Sequence, residues 1–501
     1  MTGPGRRARA GRDDKAHIPS FPDDLRAIKA LIRPPGSGCG AGPGGPAGTT
    51  AYLTGGVPVE QLLNLSVLDK PLLYTFYALS VLAVLYLLLR PVLLPPRRRR
   101  SRQPGRRRWL LTVIAAVAGG ALAGALTLVI CEAVLNVFGL PLEADARAWV
   151  IAGFAGTGLA AVNLRRSPWW RKAVAVLAGL LFIATAALGI NAGYGLNPTL
   201  GTMLGISHAR PLALPGLNPR PRQENGTPMW QSWKPPARMP ATGQSGAVTI
   251  PAPASGFQAR DAYLYLPPAA LVDDPPPLPV IIMMMGQPGG PEQNKSAVRQ
   301  LNALARQHHG LAPYVLTVDQ IGAPDRNPVC VDSAKGNVYT YVTTDVVNYV
   351  RNNLNVTPGR TQWAVAGYSN GGECALSFAA KRPDLFGSLL DISGELEPRD
   401  GSAEDTVKNV FGGNQAAFDA EKPATILKAH KYSDELAIFT SGSLDPTYGP
   451  QVATAEADAK AAGMTTRRFV GAGIGHRGDA LDYGLKTGLP LLYQRFGLTP
   501  P

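Results

Sequence analysis

Charge is scarce in this chain of 501 residues: Asp, Glu, Lys and Arg make up 17 % of it, where about a quarter is usual. That excludes a mostly disordered chain or a long coiled coil. Cysteine is scarcer, with four in all, which excludes a disulfide-dense scaffold. Histidine numbers only six, so the candidates for a catalytic base or metal ligand can be weighed one by one. Acidic residues are few in the first half. Residues 1–245 hold 28 Lys+Arg against 10 Asp+Glu, a net of +18, and residues 246–501 hold 21 against 25, a net of −4, which returns the total of +14. The second half has no basic stripe for nucleic acid, and no P-loop or dinucleotide fingerprint occurs. We expect no nucleic-acid partner and no cofactor.

Long hydrophobic runs are what the basic half has. Four stretches approach or exceed the length of a spanning helix, at about residues 71–89, 109–131, 148–164 and 173–190. The second carries small residues (Gly120-Ala-Leu-Ala-Gly124) that allow close helix packing. The fourth follows Trp169, Trp170, Arg171 and Lys172, an interfacial anchor. Arg97 to Arg100, Arg102 and Arg106 to Arg108 link spans one and two, and Arg165, Arg166, Arg171 and Lys172 link spans three and four. The link between spans two and three instead carries Glu132, Glu143 and Asp145 against Arg147. Basic loops stay in the cytoplasm, so the acidic link and everything after the fourth span are expected outside, at the cell membrane. Residues 1–66 read as a disordered Gly/Pro/Arg-rich tail; its eight Lys+Arg within the first 50 residues disagree with an outside N-terminus. Residues 67–192 form the expected membrane domain and 193–245 a Pro-rich linker.

From 246 to 498 short apolar runs alternate with helical segments. Strands are expected at Ala262–Leu266, Pro279–Met285, Tyr314–Val318, Trp363–Ala366, Gly387–Ile392, Leu436–Thr440 and Arg467–Val470. Helices are expected near Asn294–Gln307, Val338–Asn353, Gly371–Lys381, Gln451–Ala462 and Asp479–Phe496. This alternation implies a mostly parallel sheet with helices on both faces. The fold class is thus a four-span helical membrane domain followed by an α/β domain with a mostly parallel sheet.

Gly367-Tyr368-Ser369-Asn370-Gly371 matches G-x-S-x-G between an apolar strand and a helix. That is the setting in which a sharp turn presents a nucleophilic serine. Only His430 and His476 follow it. His430 ends a helical segment, whereas His476 lies in a loop after the last strand and is the candidate base. Asp445, directly after the strand Leu436–Thr440, is the candidate acid, with Glu395, Asp391, Glu397 and Asp479 as rivals; Asp479 suits a helix cap better. An oxyanion needs two backbone donors, for which Asn370 and Gln287 are the candidates, because Pro288 has no N–H. Asp332 and Asp319 read as ordinary loop carboxylates. No Cys or His has partners at metal-ligand spacing, so no metal is expected.

These residues also carry a resemblance. Ser255-Gly-Phe-Gln-Ala-Arg260, Tyr263 to Pro268, Gly286-Gln-Pro-Gly289, Cys330-Val-Asp-Ser333, the turn around Ser369, Phe411-Gly-Gly413 and Gly475-His476 resemble the esterase D-like group of α/β-hydrolases, which includes mycolyltransferases. Spans followed by this domain are similar to bacterial membrane hydrolases of aminoacyl-phosphatidylglycerol. Met285-Gly286 stands where many relatives have His-Gly, and Arg477 follows the histidine where an aromatic is frequent. The resemblance implies an extracytoplasmic serine esterase acting on a lipid or cell-envelope ester, with acyl transfer as the enzymatic alternative. A transporter or scaffold with an inert ectodomain is the non-enzymatic one. Cys330 and Cys374 both fall in these motifs; an oxidising exterior permits a bridge between them, although sequence alone does not fix their separation.

Overall fold

A computed structural model describes residues 59–89, 106–135, 142–165, 167–206, 211–214, 227–323 and 326–500. The tail over 1–58, with Cys39, and the arginines of 97–102 lie outside the described residues.

The first half folds as helices α1 (Lys70–Leu88), α2 (Arg106–Val129, extended by a π turn through Val134), α3 (Ala144–Leu164) and α4 (Trp169–Tyr194). α2 packs on α3, α3 on α4, and α4 on α1. Small residues set the closest approach. A Cβ on Gly120 would come within 2.4 Å of the Phe154 carbonyl oxygen, and one on Gly158 within 2.3 Å of the Ala116 carbonyl oxygen. The α2 and α3 backbones therefore touch where side chains would hold them apart. Across α1 and α4, Ser80 and Thr185 share a 2.8 Å hydrogen bond. Leu82, Leu122 and Leu177 point outward, each more than half exposed. Three helices are long and apolar enough to cross a membrane, Lys70–Leu88, Arg107–Val134 and Trp169–Tyr194. Helix α3, which contains the expected span 148–164, is not among them; Asp145, Arg147 and Asn163 lower its mean hydropathy.

The second half is built on an eight-stranded sheet in the order β1-β2-β4-β3-β7-β8-β9-β10. The strands are β1 (Gln244–Val248), β2 (Ala262–Leu266), β3 (Val280–Met284), β4 (Tyr314–Val318), β7 (Trp363–Tyr368), β8 (Ser388–Ile392), β9 (Leu436–Gly442) and β10 (Thr465–Gly471); β5 (Asp332–Ser333) and β6 (Gly336–Asn337) form a separate small ribbon. From β4 to β10 every pairing is parallel, and β2 runs antiparallel to both β1 and β4. Strand β3 reads Val-Ile-Ile-Met-Met and is buried at every position, as a central parallel strand covered on both faces must be. Helices α5 (Lys295–Gln307), α6 (Asn370–Lys381), α7 (Tyr448–Ala462) and α8 (Gly478–Arg495) supply the covering layers. α6 lies on β7, β8 and β3, while α7 and α8 lie on β9 and its neighbours.

Two parts depart from expectation. β1 begins inside the stretch read as linker, and the segment Ala403–Ala429 holds three short helices, of which only the last was anticipated. β1 is an edge strand of small and polar residues, Gln-Ser-Gly-Ala-Val, and such a strand leaves little hydrophobic pattern to read. The two halves are joined directly: the Gln293 side chain donates to the Gly195 carbonyl just past α4, at 3.0 Å.

Candidate active site

Ser369 sits between β7 and α6 with φ +57° and ψ −121°, a left-handed conformation that costs a non-glycine residue about 1–3 kcal/mol. The flanking glycines make the turn sterically feasible. A Cβ on Gly367 would lie 1.8 Å from the Gly371 carbonyl oxygen, and one on Gly371 would lie 2.4 Å from the Met284 carbonyl oxygen. Neither position admits any side chain. The chain is pinned by the Ser369 N–H to the Ile392 carbonyl, 2.9 Å, and the Gly372 N–H to the Ser369 carbonyl, 2.8 Å.

The fold brings three distant side chains into one line. His476, in the loop after β10, places Nε2 2.9 Å from Ser369 Oγ and Nδ1 3.0 Å from Asp445 Oδ2. Asp445 follows β9 and is nearly sealed from solvent; its Oδ1 accepts the Tyr448 N–H at 2.8 Å. Both carboxylate oxygens are therefore used. The Tyr448 ring stacks on the imidazole with centroids 3.8 Å apart, and Tyr368 lies nearly parallel to it at 5.3 Å. Burial, then the charges of Glu395 and Asp445, pushes the Tyr448 phenol far up, so it stays neutral. The sequence offered no reason to choose these tyrosines, although Tyr368 lies inside the serine motif and Tyr448 three residues past the acid.

The rivals for the acid go elsewhere. Asp391 lies under the turn, accepting the Gly394 N–H at 2.7 Å, and Glu397 pairs with Lys422 at 3.1 Å. Asp479 is in the first turn of α8 and 3.6 Å from Arg477. Glu395 is near Asn370, whose amide nitrogen makes no hydrogen bond in proper geometry. His430 ends the short helix Pro423–Ala429.

The loop after β3 runs alongside the serine. A Cβ on Gly286 would meet Ser369 Cβ at 3.2 Å and the Tyr368 ring at 3.3 Å, so the loop packs against the serine turn at Gly286. Arg260 holds this loop, donating to the Gly289 carbonyl at 2.8 Å while its guanidinium grips Asp319 at 2.8 and 3.0 Å. This corrects the reading of Asp319 as a solvated loop residue: it is fully buried and ion-paired. Gln320 donates both to the Met285 carbonyl and to Asn370 Oδ1, tying the loop to the residue after the serine. Asp332, in the small ribbon, instead accepts from the Thr340 N–H in the helical turn that follows.

Cys330 and Cys374 are joined by a disulfide, with Cα atoms 5.2 Å apart, so the loop before β5 is stapled to α6. Glu373 lies against the same sulfurs, but sulfurs bonded to each other offer no thiolate, so this cluster does not read as a metal site.

Burial pushes the Asp391 carboxyl up to about 7, partly opposed by the Gly394 N–H, and the Glu395 carboxyl to about 7 as well. A carboxyl whose native value exceeds its unfolded value of about 3.9 stabilises the fold fully below that value, and the contribution is lost as pH rises through about 7. Melting temperature is therefore expected to fall between about pH 4 and pH 7. Asp391→Asn, which keeps the acceptor for Gly394, flattens that fall in a thermal melt series; an unchanged slope contradicts the assignment.

Closest to the helix bundle, the His476 backbone N–H donates to Glu143 Oε1 at 3.2 Å, and the Glu143 N–H donates to the Tyr194 hydroxyl at 3.2 Å. Arg477 pairs with Asp145. The histidine loop thus rests on the ends of α3 and α4. No sequence signal pointed to these contacts.

Residues 258–483 match the Esterase family model, described as "Putative esterase". The chain is 31 % identical over 368 residues to an uncharacterized protein of Corynebacterium glutamicum, covering 71 % of this chain and 84 % of that one. Among solved structures it is similar to a ferulic acid esterase, with 15 % identity, 51 % of this chain and 98 % of that chain covered, and a TM-score of 0.44. It is also similar to an S-formylglutathione hydrolase from Agrobacterium tumefaciens, with 17 % identity, 51 % and 97 % covered, and a TM-score of 0.43.

Proposed function

We propose that this carboxylic ester hydrolase, whose residues 258–483 match the Esterase family model, is a membrane-anchored serine esterase working on a lipid ester outside the cytoplasm. Asp445 holds the imidazole of His476 in the tautomer that leaves Nε2 free to accept the Ser369 proton. The Ser369 oxygen attacks the ester carbonyl, and the Asn370 and Gln287 N–H groups receive the oxyanion. The imidazolium returns its proton to the leaving alcohol, and water attacks the acyl-serine by the same route.

The bundle α1–α4 is the anchor, with α3 as a fourth span shielded between α2 and α4. The acidic α2–α3 link and the C-terminal domain lie on the outer side, where a Cys330–Cys374 bridge is stable. The observation that carries the lipid reading is the bond from the His476 N–H to Glu143 at the outer end of the bundle. A contact between the catalytic loop and the end of an anchoring bundle supports a site near the headgroups, where esters of membrane lipids are held. Within that class we favour alanyl- or lysyl-phosphatidylglycerol. The test is full-length protein in phosphatidylglycerol vesicles carrying the lysyl ester, with free lysine as the readout. Lysine release that depends on Ser369 is expected; turnover of p-nitrophenyl acetate with no lysine release overturns the lipid reading and leaves acyl transfer to an envelope alcohol as the next assay.

A further inference from the structure

The candidate acid is also the group on which helix α7 starts. Asp445 Oδ1 accepts the N–H of Tyr448, the first residue of α7, at 2.8 Å, while Asp445 Oδ2 meets His476 Nδ1 at 3.0 Å. A carboxylate held from both sides brings the residue that opens the helix onto the imidazole. The two rings stack with centroids 3.8 Å apart and planes 19° from parallel. The Tyr448 hydroxyl lies against Ser369. One residue thus meets the acid with its N–H, the base with its ring and the nucleophile with its hydroxyl.

We propose that Tyr448 is a fourth member of the catalytic group: its ring fixes the plane of the His476 imidazole, and its hydroxyl donates a hydrogen bond to Ser369 Oγ as negative charge develops there. The inference rests on the serine mechanism above and does not depend on which ester is cleaved.

The direction of that hydrogen bond follows from counting protons. Ser369 Oγ carries one, committed to His476 Nε2 at 2.9 Å. The phenol keeps its own, because burial, then the charges of Glu395 and Asp445, oppose its ionisation. The hydroxyl is therefore the donor, and Oγ has lone pairs with which to accept. When His476 takes the serine proton, the electron pair of the O–H bond stays on Oγ and goes on to form the bond to the acyl carbon. In deacylation the bond from that carbon to Oγ breaks, the pair returns to Oγ, and the imidazolium gives its proton back. Tyr448 keeps its proton throughout. Ser369, Asp445 and Tyr448 are all buried, and a fixed donor acts most strongly on a charged oxygen where water is excluded.

The ring acts on the base. A single bond from Nδ1 to Asp445 leaves the imidazole free to tilt, and a ring stacked on its face removes that freedom. The same electron-rich face favours the imidazolium that forms. Tyr368, nearly parallel to the imidazole, lies farther off at 5.3 Å.

Two substitutions separate the two roles. Tyr448→Phe removes the hydroxyl and keeps the ring and the N–H; Tyr448→Leu removes the ring as well. In full-length protein, kcat/KM for p-nitrophenyl acetate and the rate of fluorophosphonate labelling are measured per serine that finally labels, so loss of folded enzyme does not enter. Tyr448→Phe is expected to lower both at least about tenfold with KM within about twofold of the parent, because the hydroxyl acts only as charge develops on Oγ. Tyr448→Leu is expected at least about tenfold below the Phe variant. A Phe variant within about threefold of the parent overturns the hydroxyl's role, and a Leu variant within about threefold of the Phe variant overturns the ring's; either strikes down the proposal. Activity that survives Ser369→Ala overturns the serine mechanism itself, a result distinct from both.

Discussion

Ser369→Ala is expected to lower kcat/KM for any ester by about 10⁴-fold or more and to abolish fluorophosphonate labelling. The size of the effect follows from the role: no other hydroxyl is within hydrogen-bond distance of His476 Nε2 among the described residues, and losing the nucleophile removes the covalent route altogether. Stability gives the control. The serine oxygen bonds to the imidazole and lies against the Tyr448 hydroxyl, both of which keep other contacts, and Ala pays the same strain at φ +57° as Ser does. The melting temperature should therefore stay within about 2 °C, a change worth about 1 kcal/mol for a domain of this size. Activity within tenfold of the parent, or labelling that persists, would remove Ser369 from the mechanism.

The second large loss is expected from Asp445→Asn, about 10³–10⁴-fold in kcat. The replacement keeps volume, and its remaining oxygen can still accept the Tyr448 N–H that now lies at 2.8 Å. The group then facing His476 Nδ1 is an NH₂ donor in place of the carboxylate oxygen at 3.0 Å. It forces the ring proton onto Nε2, toward the serine, where an acceptor is needed. Because the effect is on the chemical step, it is expected in kcat more than in KM. Glu395→Gln provides the contrast: its carboxyl has no bond to the imidazole, so a loss of only a few-fold is expected. Comparable losses in the two variants would transfer the acid's role to the neighbourhood of Glu395.

How far the sequence reached can be judged from single elements. β3, β4 and β7 were legible because a parallel strand covered on both faces is an unbroken apolar run. β1 was not, since an edge strand of small residues has no such run. Ser369 stood out because the turn forbids side chains on both flanking glycines, which leaves a five-residue signature. The side chains that brace it left weaker signals. Tyr448 stacks on His476 from a helix whose start was placed three residues too late, and Arg260 reaches Gly289 and Asp319 across two loops. Helix α3 was harder still. Its polar ends weaken the apolar signal, and its packing between α2 and α4 is information that exists only in three dimensions.

The bond between Glu143 and the His476 N–H joins residues 333 positions apart. Contacts of such separation close late, because so much chain must be ordered first. The sheet, the serine turn and the disulfide all lie in the chain after residue 240. The histidine loop draws one further acceptor, Glu143, from the start of a helix hundreds of residues earlier, so a single backbone bond ties the catalytic loop to the first half of the chain.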